Sequence, residues 1–280
     1  MFFTKMHGTG NDFILINCLE HKLKSPAKQA TKMCQRHFGI GADGLILVLP
    51  ADSPENDFKM RIFNADGSEA EMCGNGIRCF AHYLSTNNLT NKHKLRIETK
   101  AGIIKPQIIN TIGDKSQVEV NMGQPKFAPE QIPVKIPGAR DFIQDYEINL
   151  KNQKLKINCV SMGNPHTIIF LDNLEEIELE NWGSQLENHE FFPEKTNVEF
   201  VKIISPKEVE MKVWERGSGI TLSCGTGACA VVAAGIKKKL LNNSVQVNLP
   251  GGELLINANE SLDSPLKMIG AACTVFTGNY

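Results

Sequence analysis

MRIFNADGSEAEMCGNGI (residues 60–77) and MKVWERGSGITLSCGTGA (residues 211–228) decide how this chain is read. Shifted by 151 positions, they align without a gap: Met60 falls on Met211, Cys73 on Cys224, Gly74 on Gly225 and Gly76 on Gly227. Ile62/Val213 and Phe63/Trp214 are conservative pairs. A shift of 153 carries Gly10-Asn11 onto Gly163-Asn164, and a shift of 150 carries Gly102 onto Gly252. Matches in constant order with slowly drifting offsets are what an old duplication leaves, and the period is too long for a solenoid. The chain is read as an α/β (α+β) protein of two similar lobes, each a curved sheet holding a helix.

Outward from the repeats, short apolar runs alternate with turn residues. Phe13–Asn17, Leu45–Leu49, Lys59–Phe63, Leu95–Thr99, Ile103–Ile109 and Gln117–Asn121 read as strands. Lys154–Ser161, Thr167–Leu171, Glu199–Ile204, Glu208–Trp214, Val245–Leu249, Leu254–Ala258 and Ala271–Phe276 repeat the recipe. Helical patterns cover Ala27–His37, Gly76–Asn87 and Gly227–Leu241, with Leu174–Leu186 partly helical. Pro125, Pro129, Pro133 and Pro137 mark residues 123–138 as a connector.

Composition narrows the function classes. With 280 residues, about two domains are expected. Lys plus Arg is 30 against 31 for Asp plus Glu, a balance unsuited to coating nucleic acid or an anionic membrane, so neither partner is expected. The longest small-and-apolar run, Ala228–Ile236, falls far short of the ~20 residues a membrane span needs. The start MFFTKMHGTGNDF lacks a signal peptide's apolar core, so a cytoplasmic location is expected. The 8 cysteines include no C-x-x-C pair and no zinc-knuckle spacing, so reduced thiols and no metal are expected.

Both repeats present strand, loop, Cys-Gly-X-Gly, then helix: Cys73-Gly74-Asn75-Gly76 and Cys224-Gly225-Thr226-Gly227. Glycines before a helix let a ligand approach its bare N–H groups, which with the dipole bind anions. A cysteine there is expected to titrate below the ~8.5 of a free thiol. If two such lobes face each other, one thiolate removes a proton from one face of a carbon while the other thiol protonates the opposite face. That inverts a stereocentre without metal or electron-sink cofactor, and the helix N-termini hold the substrate carboxylate. A single Cys-Gly-X-Gly is a weak signal, since phosphate sites use such turns too. Its duplication at matched positions is the stronger one. A disulfide between the two cysteines would block the thiolate and should be reversible.

The stretch Asn64-Ala65-Asp66-Gly67-Ser68, four residues, then Cys73-Gly74-Asn75-Gly76-Ile77-Arg78 resembles the signature of the diaminopimelate epimerases. Lys5–Phe13, Gly39–Gly44, Met162-Gly163-Asn164-Pro165-His166, Thr196-Asn197-Val198-Glu199 and Trp214-Glu215-Arg216-Gly217 are similar to that family as well. The resemblance implies a PLP-independent epimerase interconverting LL- and meso-diaminopimelate, in lysine and peptidoglycan-precursor synthesis. It implies pseudo-symmetric lobes, each a mostly antiparallel sheet or barrel around a central helix. The lobes are expected over residues 1–120 (joined by a C-terminal strand, about 268–280) and 121–267, with the active site in the cleft between them. It implies catalysis by Cys73 and Cys224, with His166 and Glu215 tuning the thiols. The implied substrate cage is Asn11, Asn64, Asn164, Asn197, Glu215 and Arg216, with Gly74-Asn75 and Gly225-Thr226 at the reacting carboxylate. A homodimer is implied too.

The cage has its own physical reading. An Arg216 guanidinium suits the distal carboxylate of a long zwitterion, and asparagine amides both donate and accept. Asn11 and Asn164 also read as plain turn residues beside glycine, and Asp66-Gly67 reads as a turn without chemistry. Gly44 stands where some members carry a substrate-contacting glutamine, and Phe276 replaces a tyrosine linked to dimer contacts. Three rivals remain: a proline-racemase-like or hydroxyproline-epimerase-like enzyme, a binding module, and a thiol redox or zinc protein.

Overall fold

The computed structural model describes residues 1–151, 153–259 and 261–280. The chain forms two compact units, Met1–Asn121 with Ile269–Tyr280, and Met122–Met268. Unit 1 runs β1 (Phe2–Gly8), β2 (Asn11–Asn17), α1 (Pro26–Met33), β3 (Gly44–Pro50), β4 (Phe58–Asn64), β5 (Glu69–Ala70), α2 (Gly74–Thr86), β6 (Ile97–Thr99), β7 (Gly102–Ile104), β8 (Gln107–Ile112) and β9 (Lys115–Asn121). Unit 2 runs β10 (Tyr146–Leu150), β11 (Gln153–Ser161), β12 (Pro165–Phe170), α3 (Leu179–Glu187), β13 (Asn197–Ser205), β14 (Glu208–Glu215), β15 (Gly219–Thr221), α4 (Gly225–Lys237), β16 (Ser244–Leu249) and β17 (Gly252–Asn257). A long last strand, β18 (Lys267–Asn279), returns to pair antiparallel with β1. The strands pair mostly antiparallel, and the sheet does not close into a barrel.

The duplication holds at the level of strand register. In unit 1, β2 pairs parallel with β3 (Phe13 opposite Gly44), and β3 antiparallel with β4 (Leu45 opposite Phe63). There β4 meets β5 (Phe63 opposite Glu69) and β6 (Phe58 opposite Ile97), and β6 turns into β7 (Thr99 opposite Gly102). Unit 2 places His166 opposite Asn197, Val198 opposite Trp214, Trp214 opposite Ile220, Val209 opposite Val247, and Leu249 opposite Gly252, with the same senses. Every one of these pairs is its unit 1 counterpart shifted by 153, 151 or 150. Because a one-residue slip would turn each side chain to the other face, equal register means equal placement of side chains.

In each unit the helix after the repeated cysteine forms the core. Residues 75–84 of α2 are all buried, and so are Gly225 and residues 227–235 of α4. A helix buried all round is apolar all round, which is why α4 reads Ala-Cys-Ala-Val-Val-Ala-Ala. The polar side chains of α2 are paired inside: Arg78 donates to Gly74 O, Thr9 Oγ1 and Ala271 O, and His82 lies between Ser116 Oγ at 2.6 Å and Thr274 Oγ1 at 3.1 Å.

Two expectations are corrected, and one strand goes unannounced in the sequence. The helix expected over Ala27–His37 ends at Met33, whose carbonyl accepts from Ile40 N and Gly41 N as the chain doubles back. Only glycine fits that return, since a Cβ on Gly39 would sit 2.5 Å from Lys32 O. The strand expected over Ile103–Ile109 is two strands parted at Lys105-Pro106, because proline has no N–H for the ladder. The N-terminal strand β1 carried no alternating signal, since Thr4, Lys5 and Met6 are all buried.

Candidate active site

Cys73 is the N-cap of α2, extended at φ −140° and ψ 122°, and its sulfur accepts from Gly76 N at 3.4 Å. The Cys73 thiol lies 3.7 Å from Asn11 Oδ1, which also accepts from Asn75 Nδ2 at 3.3 Å. Asn11 is held in that sense from behind: its Nδ2 donates to Asp43 Oδ2 at 2.7 Å. Asp43 in turn takes Arg36, which forks onto Asp12, and Asp12 also takes Lys5. Burial alone would push the Asp12 carboxyl up, but the bonds from Arg36 and Lys5 hold it down at about 2. A fixed ion cluster thus presents an acceptor oxygen to Cys73, which suits a thiol S–H.

Cys224 is the N-cap of α4 at φ −127° and ψ 110°, and its sulfur accepts from Gly227 N at 3.4 Å. It is buried, with Thr226 Oγ1 3.5 Å from the sulfur. Asn164, the counterpart of Asn11, donates through Nδ2 to Thr226 Oγ1 at 3.4 Å and faces His166 Nε2 with Oδ1 at 3.0 Å. The other nitrogen of His166 lies 2.6 Å from Glu199 Oε1, and both side chains are fully buried. Glu215 accepts from Thr221 Oγ1 at 2.5 Å. The expectation of a depressed thiol is reversed at Cys224. Burial pushes it well above the ordinary thiol range, the neighbouring carboxyls, Glu215 foremost, add to that, and the bonds from Thr226 and Gly227 only partly offset them.

The remaining expected residues divide. Gly74-Asn75 and Gly225-Thr226 form the first turns of α2 and α4 beside the sulfurs. Asn64 is exposed at the end of β4, and its Nδ2 donates to Ser68 Oγ at 2.9 Å. Asp66-Gly67 is a turn, with Asp66 Oδ1 accepting from Ser68 N and Gly67 at φ 89°. Asn197 is buried and engaged with backbone: its Nδ2 donates to Pro165 O at 2.8 Å and its Oδ1 accepts from Arg216 N at 3.0 Å. It therefore holds the Arg216 backbone in place. The Arg216 side chain is exposed, with Nη1 on Glu194 O at 2.9 Å. Gly44 pairs with Asn64 in the β3–β4 ladder, and a Cβ there would sit 2.8 Å from Phe63 O.

Two groups escaped the sequence reading. Asp43 lies in the Gly39–Gly44 block with no role assigned to it by sequence, yet it orients the Asn11 amide. Glu199 reads as the first residue of a strand, where nothing marks one carboxyl as buried against a histidine, and the strand in fact starts at Asn197.

Comparison with known proteins places this geometry among relatives. Residues 3–128 and 158–275 match the family model described as "Diaminopimelate epimerase". A protein named "Diaminopimelate epimerase" from Halothermothrix orenii is 58% identical over 276 residues, 99% of this chain and 96% of that one. Among solved structures, the Bacillus anthracis phenazine biosynthesis protein of the PhzF family superposes with a TM-score of 0.70 at 18% identity, over 99% of this chain and 98% of that one. A probable proline racemase from Agrobacterium radiobacter K84 gives 0.67 at 15% identity, over 100% and 92%. Those two likenesses are of fold.

Proposed function

This chain belongs to the diaminopimelate epimerase family and is an isomerase of diaminopimelate, and we propose that it interconverts the LL and meso isomers through Cys73 and Cys224 as a thiolate/thiol pair. The observation that carries the proposal is the duplicated half-site: each unit holds a thiol as the N-cap of a buried helix, with the N–H three residues on directed at its sulfur. An α-proton is removed only if the developing carbanion is stabilised. With the substrate carboxylate on a helix N-terminus, preorganised N–H groups and the dipole do that without an added electron sink. One sulfur takes the proton, and the other returns a proton to the opposite face. The two half-sites are not equivalent, and neither are the tasks: Cys73 faces an amide oxygen, while Cys224 faces the Thr226 hydroxyl, which itself accepts from Asn164.

The substrate contacts we assign are Asn11, Asn64, Asn164, Glu215 and Arg216, with Gly74-Asn75 and Gly225-Thr226 at the reacting carboxylate. Asn197 serves through the Arg216 backbone it binds. His166 and Glu215 act on Cys224. Incubation of reduced protein with LL-diaminopimelate in D₂O, with no cofactor added, tests this by NMR. Deuterium should enter one α-position as meso isomer forms, and Cys73→Ala and Cys224→Ala should each lower turnover by about 10²–10⁴-fold, the worth of a proton-transfer group. Exchange with proline or hydroxyproline instead would move the assignment to those substrates.

A cytoplasmic homodimer completes the reading. Among the described residues no helix is long and apolar enough to cross a membrane. Phe2, Val275 and Phe276 are about half exposed on the paired strands β1 and β18, and Phe276 packs edge-on to Phe3 at 5.9 Å. Exposed apolar side chains on this strand pair, with Phe276 opposite Lys5 and Val275 at the bulge beside it, suit a second copy of the chain. Light scattering on the purified protein should give twice the monomer mass, and a charge introduced by Phe276→Lys should lower it.

A further inference from the structure

The duplication supplies an internal control for the buried layer beneath Cys224. Shifted by 153, His166 corresponds to Phe13 and Glu199 to Ile46. All four are buried. The equivalence is spatial within each unit. A Cβ on Gly227 would meet Glu199 Oε1 at 2.6 Å, and a Cβ on Gly76 would meet Ile46 Cδ1 at 3.2 Å. Unit 1 therefore shows that this position under the first helical turn is filled well by an apolar pair. In unit 2 a carboxyl and an imidazole stand there, at full exclusion from water. Two polar groups at a position the fold fills with Phe and Ile need another reason.

The hydrogen bonds give that reason. Resting on the two-thiol reading, we propose that Glu199 is a positioning residue: held as the neutral acid, it donates through Oε1 to His166 Nδ1 and locks the imidazole in its Nε2–H tautomer. That fixes the sense of every link beyond it. His166 Nε2–H donates to Asn164 Oδ1, Asn164 Nδ2–H donates to Thr226 Oγ1, and the Thr226 hydroxyl hydrogen is left for Cys224 Sγ. A chain that ends in a donor stabilises the thiolate of a sulfur that burial holds protonated.

Two observations favour the neutral acid over a carboxylate. Among the described residues, Glu199 Oε2 is buried without a hydrogen-bond partner, tolerable for the carbonyl oxygen of an acid and costly for an anion. The groups around Glu199 also leave it short of positive charge: besides His166 they are Glu215 at the end of β14, Cys224 of α4 and Cys159 of β11. Burial pushes the Glu199 carboxyl up, against the pull of His166, and Glu215 adds to the push.

The test reads the sulfur directly. Iodoacetamide labelling of the full-length protein across pH, followed peptide by peptide by mass spectrometry, gives separate profiles for Cys224 and Cys73. In H166F/E199I, which copies the pair of unit 1, labelling of Cys224 at a fixed pH should fall about tenfold, the worth of one charge-assisted hydrogen bond, with Cys73 unchanged. T226V breaks the last link without touching the buried pair and should do the same. E199Q keeps a neutral donor for His166 Nδ1, so its Cys224 profile should match wild type. Nitrogen-15 NMR should show His166 as the Nε2–H tautomer in both. An E199Q profile displaced as far as that of H166F/E199I would overturn the proposal in favour of an ion pair. An unchanged Cys224 profile in T226V would overturn the chain itself. Labelling needs no turnover, so a protein inert toward diaminopimelate would count against the function and leave this test standing.

Discussion

Gly227 and Gly76 occupy one place in the two repeats, yet a methyl group meets different neighbours at each. At Gly227 it would strike the Glu199 carboxyl at 2.6 Å, while at Gly76 it would touch the Ile46 and Ile62 methyls at 3.2 Å. Overpacking a rigid buried group costs about 1–3 kcal/mol, whereas replacing a helical glycine by alanine returns up to about 1 kcal/mol. Gly227→Ala is therefore expected to lower stability by about 1–2 kcal/mol net in urea denaturation, and Gly76→Ala to leave it within about 0.5 kcal/mol. Equal midpoints for the two variants would contradict the packing described. The contrast also marks what the sequence could disclose at this scale. Cys73 and Cys224 stood out because the repeat preserves them. Glu199 was hidden because the repeat does not: its counterpart is Ile46, and comparing copies draws the eye to identities. The depressed thiol was misjudged at Cys224 because a helix start is visible in sequence, but the burial and the two carboxyls around it are not.

At the scale of elements, β1 and β2 are tied to the loop before β3 by charge. Lys5 and Arg36 both bind Asp12, which also accepts from Asp43 N, and Arg36 spans to Asp43. This network is why the first strand escaped the period-two signal: its lysine points inward to a partner that only the folded chain supplies. It is also why Asn11, at the start of β2, presents its oxygen to Cys73. The Asp12 carboxyl titrates at about 2 in the folded protein, below its ordinary value. A depressed folded value means that the stabilisation is complete above about pH 4 and is lost as pH falls through 4 toward 2. Asp12→Asn is expected to cost on the order of 2 kcal/mol at pH 7 and to flatten the acid limb of the stability profile, measured by urea midpoints from pH 2 to 7. A variant that keeps the steep acid limb would place the sensitivity elsewhere. The elements whose patterns were simple, β3 and α4 above all, were legible because burial on every side leaves an apolar run with nothing to disguise it.

The whole molecule follows from how the chain visits its two units. Residues 122–268 form unit 2 as one continuous segment, whereas unit 1 needs the return of β18 to lie against β1. The ends of the inner segment are stitched together, Met122 N to Leu266 O and Leu266 N to Gly123 O, both at 2.9 Å. A segment with joined ends and its own buried helix satisfies what an independent folding unit requires. Residues 1–121 alone lose the Thr274 partner of His82 and the Ala271 carbonyl of Arg78, leaving buried polar groups of α2 without those bonds. The fragment 122–268 is thus expected to melt cooperatively and give a dispersed amide spectrum, and fragment 1–121 to do neither. Glu199, His166, Asn164, Thr226 and Cys224 all belong to the inner segment, so the isolated fragment should reproduce the Cys224 labelling profile of the full chain while epimerising nothing. A folded fragment with a displaced profile would show that the reactivity of Cys224 is set by residues outside unit 2. An unfolded fragment would show that the two copies, though alike in register, no longer fold apart.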